Sequence, residues 1–173
     1  MSCNRRHYGF TLLEVLIALL VFSLGLLGMA GLLVVSVQTN HSAFLRTQAT
    51  FLAQSLADRM RANISQVWIN AYDRTYPTSD TDPCLSAAAC TRMAVATRDR
   101  AIFSTDLKYL LPNPTATVTC VPDSSVSISA VAKANGAPYT GLCTLSMAWS
   151  ESTLDRSAAA TPQTQTFYWV FTP

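Results

Sequence analysis

From Leu12 to Val37 the chain is apolar apart from glycines and two serines, and the one charge inside that run is Glu14, close to its start. As a helix at about 1.5 Å per residue, such a run crosses a ~30 Å hydrocarbon core with length to spare. The first element is therefore a membrane helix before it is anything else. A carboxylate in that setting costs roughly 2.5–3.5 kcal/mol on insertion scales, so Glu14 needs a partner and is not explained by packing.

The residues ahead of the run sharpen this. Met1 to Gly9 is polar, carries Arg5 and Arg6, and ends in glycine. An ordinary secretory signal has its small-residue cleavage site after the apolar core, whereas here the glycine precedes it. The two arginines keep the leader cytoplasmic by the positive-inside bias and place everything after Val37 outside. That orientation leaves Cys3 in a reducing compartment and Cys84, Cys90, Cys120 and Cys143 in an oxidising one.

A chain of 173 residues fits one domain plus an anchor, with a globular part of roughly a hundred residues. Removing Arg5 and Arg6 leaves ten basic and ten acidic residues, a neutral balance under which no nucleic-acid partner is expected.

Gly25, Gly28 and Gly31 recur every third residue, with Ala18 and Ser23 also small. Two readings stand: a face that lets another backbone approach, or ordinary glycines in a single-span anchor. Beyond Val37, Leu45, Ala49, Leu52, Leu56, Met60, Ile64 and Val67 step by threes and fours, which predicts an amphipathic stem to about Asn70 whose apolar stripe needs a cover. A polar connection, Thr78 to Pro83, leads to the head. A second helix is expected between Ala87 and Leu111, ended by Pro112-Asn113-Pro114. Strands are expected at Thr115 to Val121, Leu142 to Ser150 and Thr166 to Thr172, with a weaker one around Val126 to Val131. The fold class is thus α+β: a long N-terminal helix continuing into a stem packed on a small antiparallel sheet. The segments are 1–9 leader, 10–37 membrane helix, 38–76 stem and 77–173 head.

Four outer cysteines allow three pairings, and local spacing favours Cys84 with Cys90 and Cys120 with Cys143. The closures are worth about 2 and about 3–4 kcal/mol on a chain-entropy model. With no Cys-x-x-Cys pair and only His41 beyond the leader, zinc is the lesser reading, and no metal or cofactor is expected. His41 beside Ser42 is a pair of sequence neighbours with no orienting acid, so no catalytic residue is expected. Arg92, Arg98 and Arg100, with Asp99 and Asp106 beside them, read as a solvated helix face. The C-terminal aromatics Phe167, Tyr168, Trp169 and Phe171 read as sheet core on one side and contact surface on the other.

The Gly9-Phe10 junction followed by Glu14 and the apolar run resembles the type IV pilin and pseudopilin superfamily. The resemblance implies that prepilin peptidase cuts after Gly9 and methylates Phe10, and that Glu14, then the fifth residue, serves assembly by pairing with the Phe10 ammonium of its own or a neighbouring subunit. Such pairing is physically sound, because either charge alone in hydrocarbon is costly; an acid snorkelling to the headgroups is the alternative. Further on, Gln48-Ala49-Thr50 and Ala57-Asp58-Arg59-Met60-Arg61-Ala62-Asn63 are similar to the stem signature of PilV-type minor pilins, also called type IV pilus modification proteins. Leu110-Leu111-Pro112 and Met147-Ala148-Trp149-Ser150-Glu151 are similar to that family's later landmarks. Two places depart from it: Asn113-Pro114 stands where a glycine-rich turn is common, and Asp123 to Pro138 has no counterpart.

The resemblance implies a minor pilin, single-pass in the inner membrane with a periplasmic head before assembly and at the pilus tip afterwards. Its implied partners are prepilin peptidase, other minor pilins, the major pilin, a large tip adhesin and, before assembly, membrane lipid. Asp58, Arg59 and Arg61 would lie where neighbouring stems and heads meet, or else be solvated helix charges. Two rival functions remain: a minor pseudopilin of type II secretion, or a tip subunit whose head is itself a ligand receptor.

Overall fold

The computed structural model describes residues 9–85, 90–151 and 162–173. The leader residues 1–8, with Cys3, Arg5 and Arg6, lie outside these, as do residues 87–89 at the start of the expected second helix. The chain divides into two units, Met1–Ser42 and Ala43–Pro173.

In the first unit, helix α1 (Leu12–Ala62) begins. Thr11 opens it: its carbonyl and hydroxyl oxygens both accept from the Glu14 N–H, at 3.1 and 3.2 Å, occupying one of the free donors of the first turn. Every residue from Gly9 to Val37 is exposed. A helix this apolar that buries nothing within its own unit has the character of a lipid-facing or subunit-facing segment.

In the second unit, the rest of α1 lays Leu45, Ala49, Leu52, Ala53, Leu56, Ala57 and Met60 into the core, the stripe its spacing predicts. The helix stops earlier than its periodicity implies. Asn63 leaves helical geometry at φ −131°, a short α2 (Ile64–Val67) follows, and Asn70 takes φ 56°. The cause is side-chain chemistry. Asn63 Nδ2 donates to the Arg92 carbonyl at 2.8 Å and to the Tyr72 hydroxyl at 3.3 Å, so this amide serves the tertiary structure at the position where α1 ends.

The sheet runs β1 (Thr75–Tyr76), β2 (Thr115–Pro122), β3 (Gly141–Glu151), β4 (Gln163–Phe171), in that spatial order and antiparallel throughout. Strict alternation sends Ala116, Val118, Cys120, Cys143, Leu145, Met147 and Trp149 inward. Burying side chains such as Leu145, Met147 and Trp149 stabilises the head by about 1.5–3 kcal/mol each. β1 is short, and its pairing is extended by other groups. The Arg74 carbonyl accepts the Val118 N–H at 3.0 Å, and Asp73 Oδ2 accepts the Cys120 N–H at 2.9 Å.

Helix α3 (Arg92–Leu110) starts at Thr91, whose hydroxyl accepts from the Ala94 N–H at 3.2 Å, and stops before Pro112. Its inner face is mixed in character. Phe103, Leu107 and the flanking Leu111 are buried, but Ala96, Asp99, Arg100 and Ser104 share that face, while Leu110 points outward. In the following turn Asn113 takes φ 47°, in the left-handed region that asparagine tolerates best after glycine. The departure from a glycine-rich turn therefore keeps the conformation glycine would supply.

The strand expected around Val126 to Val131 does not form. The segment is the connection between β2 and β3; both edges of β2 are already taken, by β1 and β3, so this segment has no edge of β2 to pair with. Instead Ser129 caps a short helix α4 (Ala130–Ala134), accepting from the Ala132 N–H at 3.2 Å. The connection is held onto α2: Trp68 Nε1 donates to the Ala137 carbonyl at 2.9 Å, Lys133 Nζ sits 4.6 Å over the Trp68 ring, and Trp68 packs on Tyr139 at 4.7 Å.

Candidate processing and assembly surfaces

Gly9 and Phe10, the residues of the expected cleavage junction, are exposed, with Phe10 84% accessible. Phe10, Glu14, Val15, Ala18, Leu19 and Phe22 line one open apolar concavity on the same side of α1. Spacings of three and four place them there. Among the described residues no cation pairs with Glu14. A carboxylate on an apolar helix surface is then free to take a cation from outside the chain, and the cost of leaving it unpaired in lipid favours doing so. Gly25, Gly28 and Gly31 have open space where a Cβ would stand, so nothing in this chain requires glycine there.

At the end of the stem the three candidate contact residues part company. Arg59 turns inward: its Nη1 lies 3.3 Å from Asp99 Oδ1, and Asp99 Oδ2 accepts from the Tyr72 hydroxyl at 2.8 Å. Asn63, Tyr72, Asp99 and Arg59 thus form one hydrogen-bonded chain. Burial first, and the Asp99 carboxylate second, push the Tyr72 phenol up. Asp58 and Arg61 face out and pair with each other at 2.8 Å, with Arg61 Nη2 also donating to the Thr172 carbonyl at 3.1 Å. An open cleft of about 270 Å³ lined by Arg59, Ala62, Asn63, Cys90, Arg92, Val95 and Asp99 lies beside the inward pair.

The basic cluster on α3 is corrected as well. Arg100 is buried, donating from Nε to Asp80 Oδ2 at 2.7 Å and from Nη1 to the Ala71 carbonyl at 2.8 Å, while Arg98 reaches Asp82 at 3.5 Å. Only Arg98 and Arg92 fit the solvated reading. The hydrogen bond from Arg100 holds the Asp80 carboxyl below its ordinary range. Sequence reading missed Asp80 and Asp82 as partners, because nothing in their spacing from Arg98 and Arg100 announces a pairing across so long a separation.

Both disulfides take the pairing that short spacing favours, Cys84 with Cys90 and Cys120 with Cys143. The second joins residues directly opposite each other in β2 and β3. Among the described residues no group of three His, Cys, Asp or Glu side chains gathers as a metal site requires.

Comparison with known families matches residues 4–30 to the Prokaryotic N-terminal methylation motif and residues 31–101 to the family Type IV pilin Tt1218. No curated protein and no solved structure matches. Pilin families are structural, and the methylation motif implies processing by prepilin peptidase, membrane anchoring through the apolar helix and pilin partners in the pilus. A methylation motif and a pilin domain on adjoining residues, in a chain whose long apolar helix leads to a four-stranded antiparallel sheet, support a type IV pilin.

Proposed function

We propose that this pilin is a minor subunit that takes part in initiating the pilus as a member of a priming complex at its tip. Prepilin peptidase cleaves between Gly9 and Phe10 and methylates Phe10. Glu14 then pairs with the new ammonium group, its own or a neighbour's, inside the apolar layer. Other minor pilins, the major pilin and a large tip adhesin are the partners, and the stem-end pair Asp58 and Arg61 forms part of the subunit interface. Arg59 contributes to that interface indirectly, by fixing the stem to α3.

The observation that carries the reading is the exposed Glu14, without an ion pair among the described residues, one helical turn after Phe10 on an apolar helix that buries nothing within its unit. The PilV-type assignment rests on the stem signature, Ala57 to Asn63, whose members either seat the stem on the head or stand exposed beside it.

Electron microscopy of sheared fibres from a deletion strain and its complement, with immunogold against the head, tests it. Few fibres in the deletion and label at fibre tips on complementation are expected. Normal fibres with a defect only in secreted proteins would move the chain to the secretion pseudopilins. Normal fibres that fail to bind a target would make the head a receptor.

A further inference from the structure

The Cys120 N–H points away from β3, toward Asp73, so Cys120 and Cys143 form a non-hydrogen-bonded pair in the ladder. Alternation across β3 then fixes the far side of the sheet. Cys143, Leu145 and Met147 exchange hydrogen bonds with Phe171, Trp169 and Phe167, and Thr164, Thr166, Tyr168 and Val170 turn their N–H and C=O groups outward, away from β3. Among the described residues none of these outward groups has a partner, and β4 is the last strand of the sheet.

Natural edge strands are blunted by charge, proline, a bulge or short length. β4 has none of these: from Gln163 to Phe171 it carries no charge and no proline, and its register with β3 is unbroken. Tyr168 and Val170 are exposed on the outer face, and the inner-face residues Phe167 and Trp169 are only half-buried at the rim of the core. A further strand would satisfy the outward groups and cover both aromatics.

We infer that the edge of β4 left unpaired among the described residues accepts an extended, uncharged strand donated by a different subunit of the pilus, a β-augmentation contact. The inference rests on the pilin reading. A second copy does not fit. Copies in a filament repeat by one rotation and rise, so β4 would have to meet a different patch, and the opposite sheet edge, β1, offers only Thr75 and Tyr76. A β4-to-β4 pair is two-fold and closes without propagating. The lack of charge along the edge calls for an uncharged donor, with apolar residues at alternate positions to meet Phe167 and Trp169.

The test uses the full processed chain, purified in detergent through a tag from cells with all pilus subunits and from cells lacking the other pilins. Hydrogen exchange over residues 163–171 should slow by about tenfold or more only in the first preparation, because strand addition protects backbone amides. Thr166→Pro deletes one outward donor without removing a bond to β3, so it should keep both disulfides yet enter fibres about tenfold less than wild type, with Thr166→Ala unaffected. Unchanged exchange in a chain that is present in fibres overturns the inference and leaves the pilin reading intact, as does normal incorporation of Thr166→Pro. If Thr166→Pro fails to form its disulfides, the exchange result decides alone. Absence of the wild-type chain from fibres removes the pilin reading and this inference with it.

Discussion

Arg59 Nη1 lies 3.3 Å from Asp99 Oδ1, so the end of the stem helix is tied to the middle of α3 through a carboxylate that is 8% exposed. The Tyr72 hydroxyl shares that carboxylate. Removing the acid leaves a buried phenol and a half-buried guanidinium without their acceptor. Asp99→Ala is expected to cost about 2–3 kcal/mol, less than a fully buried pair because Arg59 is partly in water. Denaturant unfolding followed by tryptophan fluorescence measures it; a loss under about 0.5 kcal/mol would show that the chain of hydrogen bonds is not needed.

Glu14→Gln and Glu14→Ala are expected to be cleaved normally at Gly9 and to assemble poorly, because on the proposed reading the peptidase recognises the glycine while assembly uses the charge. Immunoblots for processing and for content in sheared fibres separate the two steps. Gly9→Val should remain uncleaved, and an uncleaved yet functional protein would overturn the processing site.

Gly141 and the membrane glycines should respond in opposite ways. A Cβ on Gly141 would clash with the Val121 carbonyl oxygen and stand 2.6 Å from Pro122 Cα and 2.8 Å from Tyr139 Cε1, the first two being backbone atoms that cannot swing aside. Gly141→Ala should cost at least about 2 kcal/mol through displaced strands. Gly25→Ala, Gly28→Ala and Gly31→Ala meet nothing within 4 Å in this chain, so an assembly defect they cause does not come from a clash within it. Comparing melting temperature with fibre content distinguishes the cases.

The two disulfides should differ in weight. Cys120–Cys143 spans 23 residues and Cys84–Cys90 spans 6, so on the chain-entropy model removal costs about 3–4 and about 2 kcal/mol. Paired alanine replacements, ranked by melting temperature, check the order.

Two aspartates make opposite contributions across acid pH. The Asp80 carboxyl is held low by its hydrogen bond from Arg100, so it stabilises the fold above the unfolded value of about 3.9, and that gain is lost as pH falls through the depressed folded value. Asp73 is raised by burial, only partly offset by the Cys120 N–H, and Oδ1 has no partner among the described residues, so its ionisation opposes folding as pH rises above about 3.9 and through the raised folded value. Asp80→Asn should flatten the acid limb of a melting-temperature series. Asp73→Asn should melt higher than wild type at pH 7 and equal to it at pH 3.

Periodicity made much of this protein legible. The apolar run with Glu14, the buried stripe from Leu45 to Val67, the alternation of β2, β3 and β4, and the disulfide pairing all follow from local spacing, since core-facing positions repeat at 3.6 or 2 residues and short loops close most readily. The polar interior did not follow. Asp99 and Arg100 look like solvated charges on α3, and become buried only because Arg59, Tyr72, Asp80 and the Ala71 carbonyl arrive from elsewhere in the chain to meet them. The same holds for the segment after β2, where alternation hinted at a strand that no free edge of β2 could accept. Sequence alone determined which faces are apolar and where the anchor and its single charge lie. Tertiary structure decided which polar groups are buried, because a buried charge is tolerated only when partners distant in the chain satisfy it.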